Sequence, residues 1–217
     1  MGPPPSQRRP AGRSGQALAA MAEVDSSRFL LMACGQIESA RFEGSENLYC
    51  RYQIQHGPDW EVVHGLEQGI TQMASSRPTS TDGAVVAWNF PVDVTLKSTN
   101  AFGWPQVVLT VYGDSALGQA DQIQGYGSVH LPVMPGKHTL YIRTFRPISS
   151  KWIDHLLSFF HGMRPEYKDP RLVAKGEGRE VTRVQSYGVV KLVVNVTLQG
   201  MEALGYHTAP SAARTVD

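Results

Sequence analysis

Residues 88 to 97 alternate strictly: Trp88, Phe90, Val92, Val94 and Leu96 fall on one side, Asn89, Pro91, Asp93, Thr95 and Lys97 on the other. Successive side chains of a strand point to opposite faces, so the stretch predicts a half-buried strand with Trp88 and Phe90 in the core. Pro91 has no N–H to offer a neighbouring strand, which predicts an edge position or a bulge there. After a turn-rich link, Ser98 to Pro105, the run Val107 to Tyr112 is apolar at nearly every position. That run predicts a central strand covered on both faces.

The same reading extends along the chain. Phe29 to Phe42 predicts a long first strand, and Gly44-Ser-Glu-Asn47 a turn. From Leu48 to Gln55, Leu48, Cys50, Tyr52 and Ile54 alternate against Tyr49, Arg51 and Gln53, and His56-Gly-Pro-Asp59 breaks the strand. Gly65 to Ala74 is a weaker strand whose apolar residues are Ile70 and Met73. Ile123 to Val133 and Thr139 to Phe145 follow, and the last strand sets Val190, Leu192, Val194, Val196 and Leu198 against Lys191, Asn195 and Thr197. Between the seventh and eighth strands the period changes. Ser149-Ser150 can cap a short helix with Trp152, Ile153, Leu156, Leu157, Phe159 and Phe160 on one wide apolar face, closed by Gly162. These elements predict an all-β fold: an antiparallel, eight-stranded β-sandwich with a short helical insertion, about residues 148–183, before the last strand. Residues 28–200 form the domain. Residues 1–27, rich in Pro and Arg, are expected to be a disordered leader, and 201–217 a fraying polar tail.

Charge adds one feature. The net charge of +1 hides a dipolar chain. Arg28, Arg41, Arg51, Arg77 and Lys97 face twelve acids between residues 23 and 122, a balance of −7, whereas residues 137–183 carry ten basic residues against five acids, a balance of +5. Solvated faces are the plain explanation; surfaces that orient protein partners, or a basic face for an anionic bilayer, are the sharper ones. The helix within the basic part has three open uses: packing on the sandwich, filling a partner groove, or lying shallowly in a membrane. The candidate partner or lipid surface is therefore Lys151, Trp152, Leu156, Phe159, Phe160, Arg164, Lys168, Arg171, Arg179 and Arg183. A nucleic-acid partner is not expected from so small a net charge.

Catalytic chemistry finds little support. Gly113-Asp-Ser115-Ala-Leu-Gly118 has one residue too many for a nucleophile elbow and lacks the strand–turn–helix context. Gly176-Glu-Gly178 lacks the third glycine and the lysine of phosphate loops. His56, Asp59, Glu61 and His64 lie close in sequence, but on a Gly-Pro loop such residues are ordinarily solvated. No cofactor and no metal site are expected. The two cysteines, Cys34 and Cys50, fall on neighbouring strands of a hairpin, where a bridge is geometrically conceivable and two buried free thiols are the plainer reading. No apolar run reaches the ~20 residues of a membrane span, so a soluble, intracellular protein is expected.

Several segments resemble a known family. Trp88-Asn-Phe-Pro-Val-Asp-Val-Thr-Leu-Lys-Ser-Thr-Asn100, Gly103-Trp-Pro-Gln106, Val111-Tyr-Gly113 and Gly125-Tyr-Gly127 are similar to the core of the B9 domain. Arg164-Pro-Glu-Tyr167, Asp169-Pro170, Gly176-Glu-Gly-Arg-Glu-Val-Thr-Arg183 and Leu204-Gly-Tyr206 resemble one branch of that family. The resemblance covers roughly residues 28–208 and makes Ala87–Tyr112 the family's signature hairpin. It implies a sandwich similar to C-two domains, and a non-enzymatic scaffold role in the tectonic-like (Meckel-syndrome) complex of the ciliary transition zone, near the basal body. The implied partners are the two other B9-domain proteins and further subunits of that complex, in an assembly that supports ciliogenesis and a diffusion barrier between ciliary and plasma membranes. The alternative is a calcium-independent, phosphoinositide-binding membrane module. Calcium is not expected as a ligand. It needs several oxygen donors together, whereas the candidate loops hold scattered acids: Asp59 and Glu61, Asp82, Asp114 and Asp121.

Overall fold

A computed structural model describes residues 27–43, 47–75, 85–114, 122–147 and 184–207. Among these the chain forms ten strands: β1 (Phe29–Arg41), β2 (Asn47–Gln55), β3 (Trp60–Gly65), β4 (Gln68–Ile70), β5 (Ala74–Ser75), β6 (Val85–Ser98), β7 (Gln106–Gly113), β8 (Gln122–His130), β9 (Gly136–Pro147) and β10 (Val184–Gln199). A single 3-10 turn, Glu202–Leu204, follows. All the strand pairs are antiparallel. Their order is β3-β6-β1-β10-β9-β8-β7-β2-β4, with β5 on β2.

This sheet curls over into two layers, because the inward residues of β6, β1 and β10 must be covered by those of β2 and β7. Val86, Trp88, Val92, Val94 and Leu96 of β6 are buried together with Leu31 and Ile37 of β1, Val190 to Val196 of β10 at alternate positions, and Leu48, Cys50, Tyr52 and Ile54 of β2. Each fully buried Leu or Val contributes about 1.5–3 kcal/mol relative to exposure. Trp88 of β6 donates its Nε1–H to the Leu48 carbonyl of β2 at 3.0 Å, and the Tyr52 and Phe90 rings lie 6.1 Å apart, so the layers are tied by polar and aromatic contacts alike. The layers join on one side through one bridging pair, Tyr126 with Phe145. On the other side the chain itself crosses over, since β3 pairs with β6 and β4 pairs with β2. The sandwich expected from the alternation is present.

Ten strands stand where the pattern gives eight. The added strand is β3, short and bulged at Val63, with only Trp60 buried; its apolar signal is too brief to stand out beside the Gly-Pro break. The weak strand over 65–74 is divided into β4 and β5. β7 is buried on both faces, as expected: Val107, Leu109 and Val111 enter the main core, and Val108 packs with Ile123 and Tyr126 in a second cluster. β6 and β7 are not a hairpin. β6 pairs with β1 and β3, β7 with β2 and β8, so the link between them crosses from one layer to the other.

The Pro91 expectation resolves into a bulge. Along β1 and β6, Ile37 faces Phe90 but Ser39 faces Ala87, so Glu38 stands opposite two residues, Trp88 and Asn89. Asn89 has φ 46°, a left-handed backbone that Asn tolerates better than most residues. Pro91 lies in the part of β6 that β3 leaves uncovered, where its missing N–H costs no ladder bond. The bulge also shifts the phase of β1: the inward positions run Leu31, Ala33, Ile37 and then Ala40.

Two further expectations change. Cys34 is exposed on the outer face of β1, Cys50 is buried on β2, both are free thiols, and the two strands are not paired with each other. Residues after β10 do not fray at once: Met201 is buried, and Leu204 and Tyr206 pack against the core. The helix expected over residues 152–160 and the rest of the insertion at 148–183 lie outside the described residues, as do the leader to residue 26 and residues 208–217.

Candidate interaction surface

All ten residues of the candidate surface, from Lys151 to Arg183, lie outside the described residues, so the site is built here from what surrounds the strand ends. At one end of the sandwich meet the start of β1, the β2–β3 loop, the Ser98–Pro105 link, the β8–β9 loop and the turn after β10. Four aromatic residues from different elements converge there. Phe29 lies edge-on to Trp60 at 5.3 Å and to Tyr206 at 5.9 Å, and Trp60 lies edge-on to Trp104 at 5.2 Å. Each such pair adds about 0.5–1.5 kcal/mol beyond its buried area.

The polar edges of this cluster hold the loops. Trp60 donates its Nε1–H to the Phe102 carbonyl at 2.8 Å, and Trp104 donates its own to the Leu131 carbonyl at 2.8 Å. The Leu131 N–H returns to the Pro105 carbonyl at 2.9 Å, so the 98–105 and 131–135 loops are tied to each other. Asn100 bridges within the end: its Nδ2 donates to Asp59 Oδ2 at 2.7 Å, and its Oδ1 accepts the Phe102 N–H at 2.8 Å. The Ala101 N–H reaches the Tyr206 hydroxyl at 3.3 Å. Gly103 has φ +68°, and a Cβ there would sit 2.5 Å from Gly57 Cα; only glycines allow the two loops to meet so closely. The Ser98–Pro105 stretch, expected as a turn-rich link, is held by these bonds. The Asn-x-x-Gly-Trp-Pro order is the signal that it is an organised loop.

On this frame Phe102 stands out, 78% exposed, with Val133 and Met134 of the neighbouring loop also exposed. Trp104, two residues on, is turned inward.

The acids and histidines that could suggest a metal are dispersed among other partners. Asp59 is taken by Asn100, Glu61 pairs with Lys97 at 3.0 Å, and His56 Nε2 lies 3.8 Å from Glu67. Asp114 accepts from Asn47 Nδ2 at 2.6 Å at the far end of β7, and eight residues of strand at about 3.3 Å each separate that end from Asp59. No single ion can use both. Asp82, Asp121 and the Ser115 turn lie outside the described residues. Among the described residues no three His, Cys, Asp or Glu side chains form a set that could hold a metal ion, and no helix is long and apolar enough to cross a membrane.

The outer face of β6-β1-β10-β9 carries an open concavity of about 400 Å³ beside the β1 bulge, lined by Glu38, Arg41, Val85, Tyr141, Val189 and Lys191. Lys191 Nζ donates to Glu38 Oε1 at 2.6 Å, and this bond raises the lysine above its ordinary range. Across the same sheet, Cys34 is raised by desolvation and by the neighbouring Asp93 carboxylate.

Comparison with known proteins bears directly on this fold. A family model described as "Ciliary basal body-associated, B9 protein" (B9-C2) matches residues 31–197, which runs from β1 to β10. B9 domain-containing protein 1 of Mus musculus is 50% identical over 190 residues, 88% of this chain and 92% of the relative. The Drosophila melanogaster protein of that name is 33% identical over 195 residues, 86% of this chain and 80% of the relative. B9 domain-containing protein 2 of Danio rerio is 32% identical over 171 residues, covering 79% and 94%. The match spans both layers of the sandwich and the loops at its aromatic end, and the chain belongs to the B9 domain family.

Proposed function

We propose that the protein is a non-enzymatic scaffold subunit of the tectonic-like complex at the ciliary transition zone, close to the basal body. It binds other B9-domain proteins and, through that assembly, supports ciliogenesis and the barrier between ciliary and plasma membranes. The observation that carries this reading is the 50% identity to B9 domain-containing protein 1 over about nine-tenths of both chains. The basal-body association of the matching family supports the ciliary base as its place. A scaffold role suits the described residues, whose ordered polar groups are spent on loop anchoring rather than gathered around a reacting atom. B9 domain-containing protein 2 relatives share the family at 29–32% identity, which makes homologous sandwiches the natural partners.

The lipid-reading alternative rests on the basic excess of residues 137–183. Of its described cations Arg146 lies over the Tyr187 ring at 4.1 Å, while Lys137 and Arg143 remain exposed. The remaining seven cations of that segment lie outside the described residues, and the partner reading is the one that the identity to B9 domain-containing protein 1 supports. Co-expression of the full chain with the two other B9-domain proteins of one organism tests it by size-exclusion chromatography. Co-elution with at least one is expected; separate elution from both removes the proposal.

A further inference from the structure

Phe102 combines two properties that rarely meet without a reason. Its backbone is held on every side. The carbonyl accepts from Trp60, the N–H is taken by Asn100, the preceding N–H by Tyr206, and the following residue is a glycine pressed against Gly57. Yet its ring is 78% exposed. A surface phenylalanine on a loose loop folds back or averages over many positions; here the ordering cost has already been met by the aromatic cluster beneath it. Such a preorganised aromatic binds without the entropy loss that a mobile loop incurs, and single aromatic anchors of this kind dominate interface energies.

The surroundings indicate what it meets. The neighbouring loop, bonded to this one through Leu131, adds Val133 and Met134, 59% and 41% exposed, and widens the apolar tip. Charges at this end leave no cationic excess: Arg28, Lys97 and Lys137 stand against Asp59, Glu61, Glu67 and Glu202, and Glu67 lies beside His56. Two of these are paired with each other, Lys97 with Glu61, and Asp59 is bonded to Asn100. A face that recruits an anionic bilayer carries a cationic surplus, and this end has none. An uncharged tip around a rigid ring matches an apolar pocket with a neutral rim.

We infer that Phe102 is the anchor of a protein–protein interface at the aromatic end of the sandwich, inserting into an apolar, neutral-rimmed pocket on a second B9-domain protein. This rests on the partner reading above and adds the contact that makes it. The test uses the full chain and a B9 domain-containing protein 2 relative from the same organism, with affinity measured by calorimetry. Phe102→Ser lowers affinity by at least about 30-fold, Phe102→Leu keeps most of it, and Tyr141→Ser, which removes an aromatic 67% exposed on the sheet face, changes nothing. Because the ring contacts solvent, the Phe102→Ser Tm stays at the wild-type value, and loss of binding then reports the interface rather than the fold. Undiminished binding by Phe102→Ser removes the anchor and leaves the partner reading standing. No binding of the wild type to this relative removes the anchor, and separate elution from both other B9-domain proteins removes the partner reading as well. Phe102-dependent flotation with phosphatidylcholine vesicles, or a self-associated wild type that Phe102→Ser makes monomeric while the relative still binds, assigns the tip to a bilayer or a second copy and overturns the inference.

Discussion

Trp88 is both filling and fastening. Its ring occupies the core between the layers, and its N–H holds the Leu48 carbonyl of the facing layer. Trp88→Ala removes the largest apolar side chain available at that depth and leaves a buried carbonyl without its donor, so a loss of about 3–5 kcal/mol is expected. Urea denaturation, or failure to recover soluble protein, measures it; a folded variant with wild-type midpoint would place Trp88 outside the core. Cys50, at the same depth on β2, makes stability depend on pH. Burial pushes its thiol well above the ordinary 9.0, so the folded chain keeps the proton that an unfolded chain releases. That preference acts in full below pH 9 and is lost as pH rises above it, at up to about 1.4 kcal/mol per pH unit. Cys50→Ala is accordingly expected to flatten the alkaline limb of the stability profile between pH 9 and 11, read as urea midpoints, while lowering stability at neutral pH through the small cavity. An unchanged alkaline limb would assign that loss to other groups.

At the scale of elements, what the sequence could reveal depended on how many consecutive residues share one environment. β2, β6, β7 and β10 were legible because their alternation, or lack of it, runs for six residues or more and matches the burial found. β3 was hidden because one buried residue, Trp60, carries its inward side. Pairing was less legible than existence: the family resemblance makes Ala87–Tyr112 a hairpin, whereas the link passes between layers, a choice set by contacts far away in sequence. The same limit kept Phe102 from view. Nothing local separates an exposed phenylalanine from a buried one until Trp60 and Asn100 are known to hold its backbone. Asn89 shows the reverse, a local residue answering a long-range need for the β1–β6 bulge. Its left-handed backbone gives a direct prediction: Asn89→Val costs about 1–2 kcal/mol in the urea midpoint, and Asn89→Gly stays within about 0.5 kcal/mol of wild type. Equal midpoints for both would mean that the bulge does not need that backbone.

For the whole molecule, both ends of the sandwich gather aromatic rings among the described residues: Phe29, Trp60, Trp104 and Tyr206 at one, and at the other Phe42 against Tyr187 at 5.7 Å and Tyr49 stacked on Tyr112 at 4.9 Å. The placement of β1 has a consequence for how the protein comes to exist. The first strand lies between β6 and β10, so neither of its neighbours has been made when it leaves the ribosome, and the second arrives only at residue 199. Phe29–Arg41 waits with both hydrogen-bonding edges bare until β6 is complete at residue 98, and with one edge bare until residue 199. A message cut short anywhere before β10 therefore yields no smaller working sandwich. It yields a chain whose opening strand has a permanently unpaired side, fit for chaperones or aggregation and not for assembly.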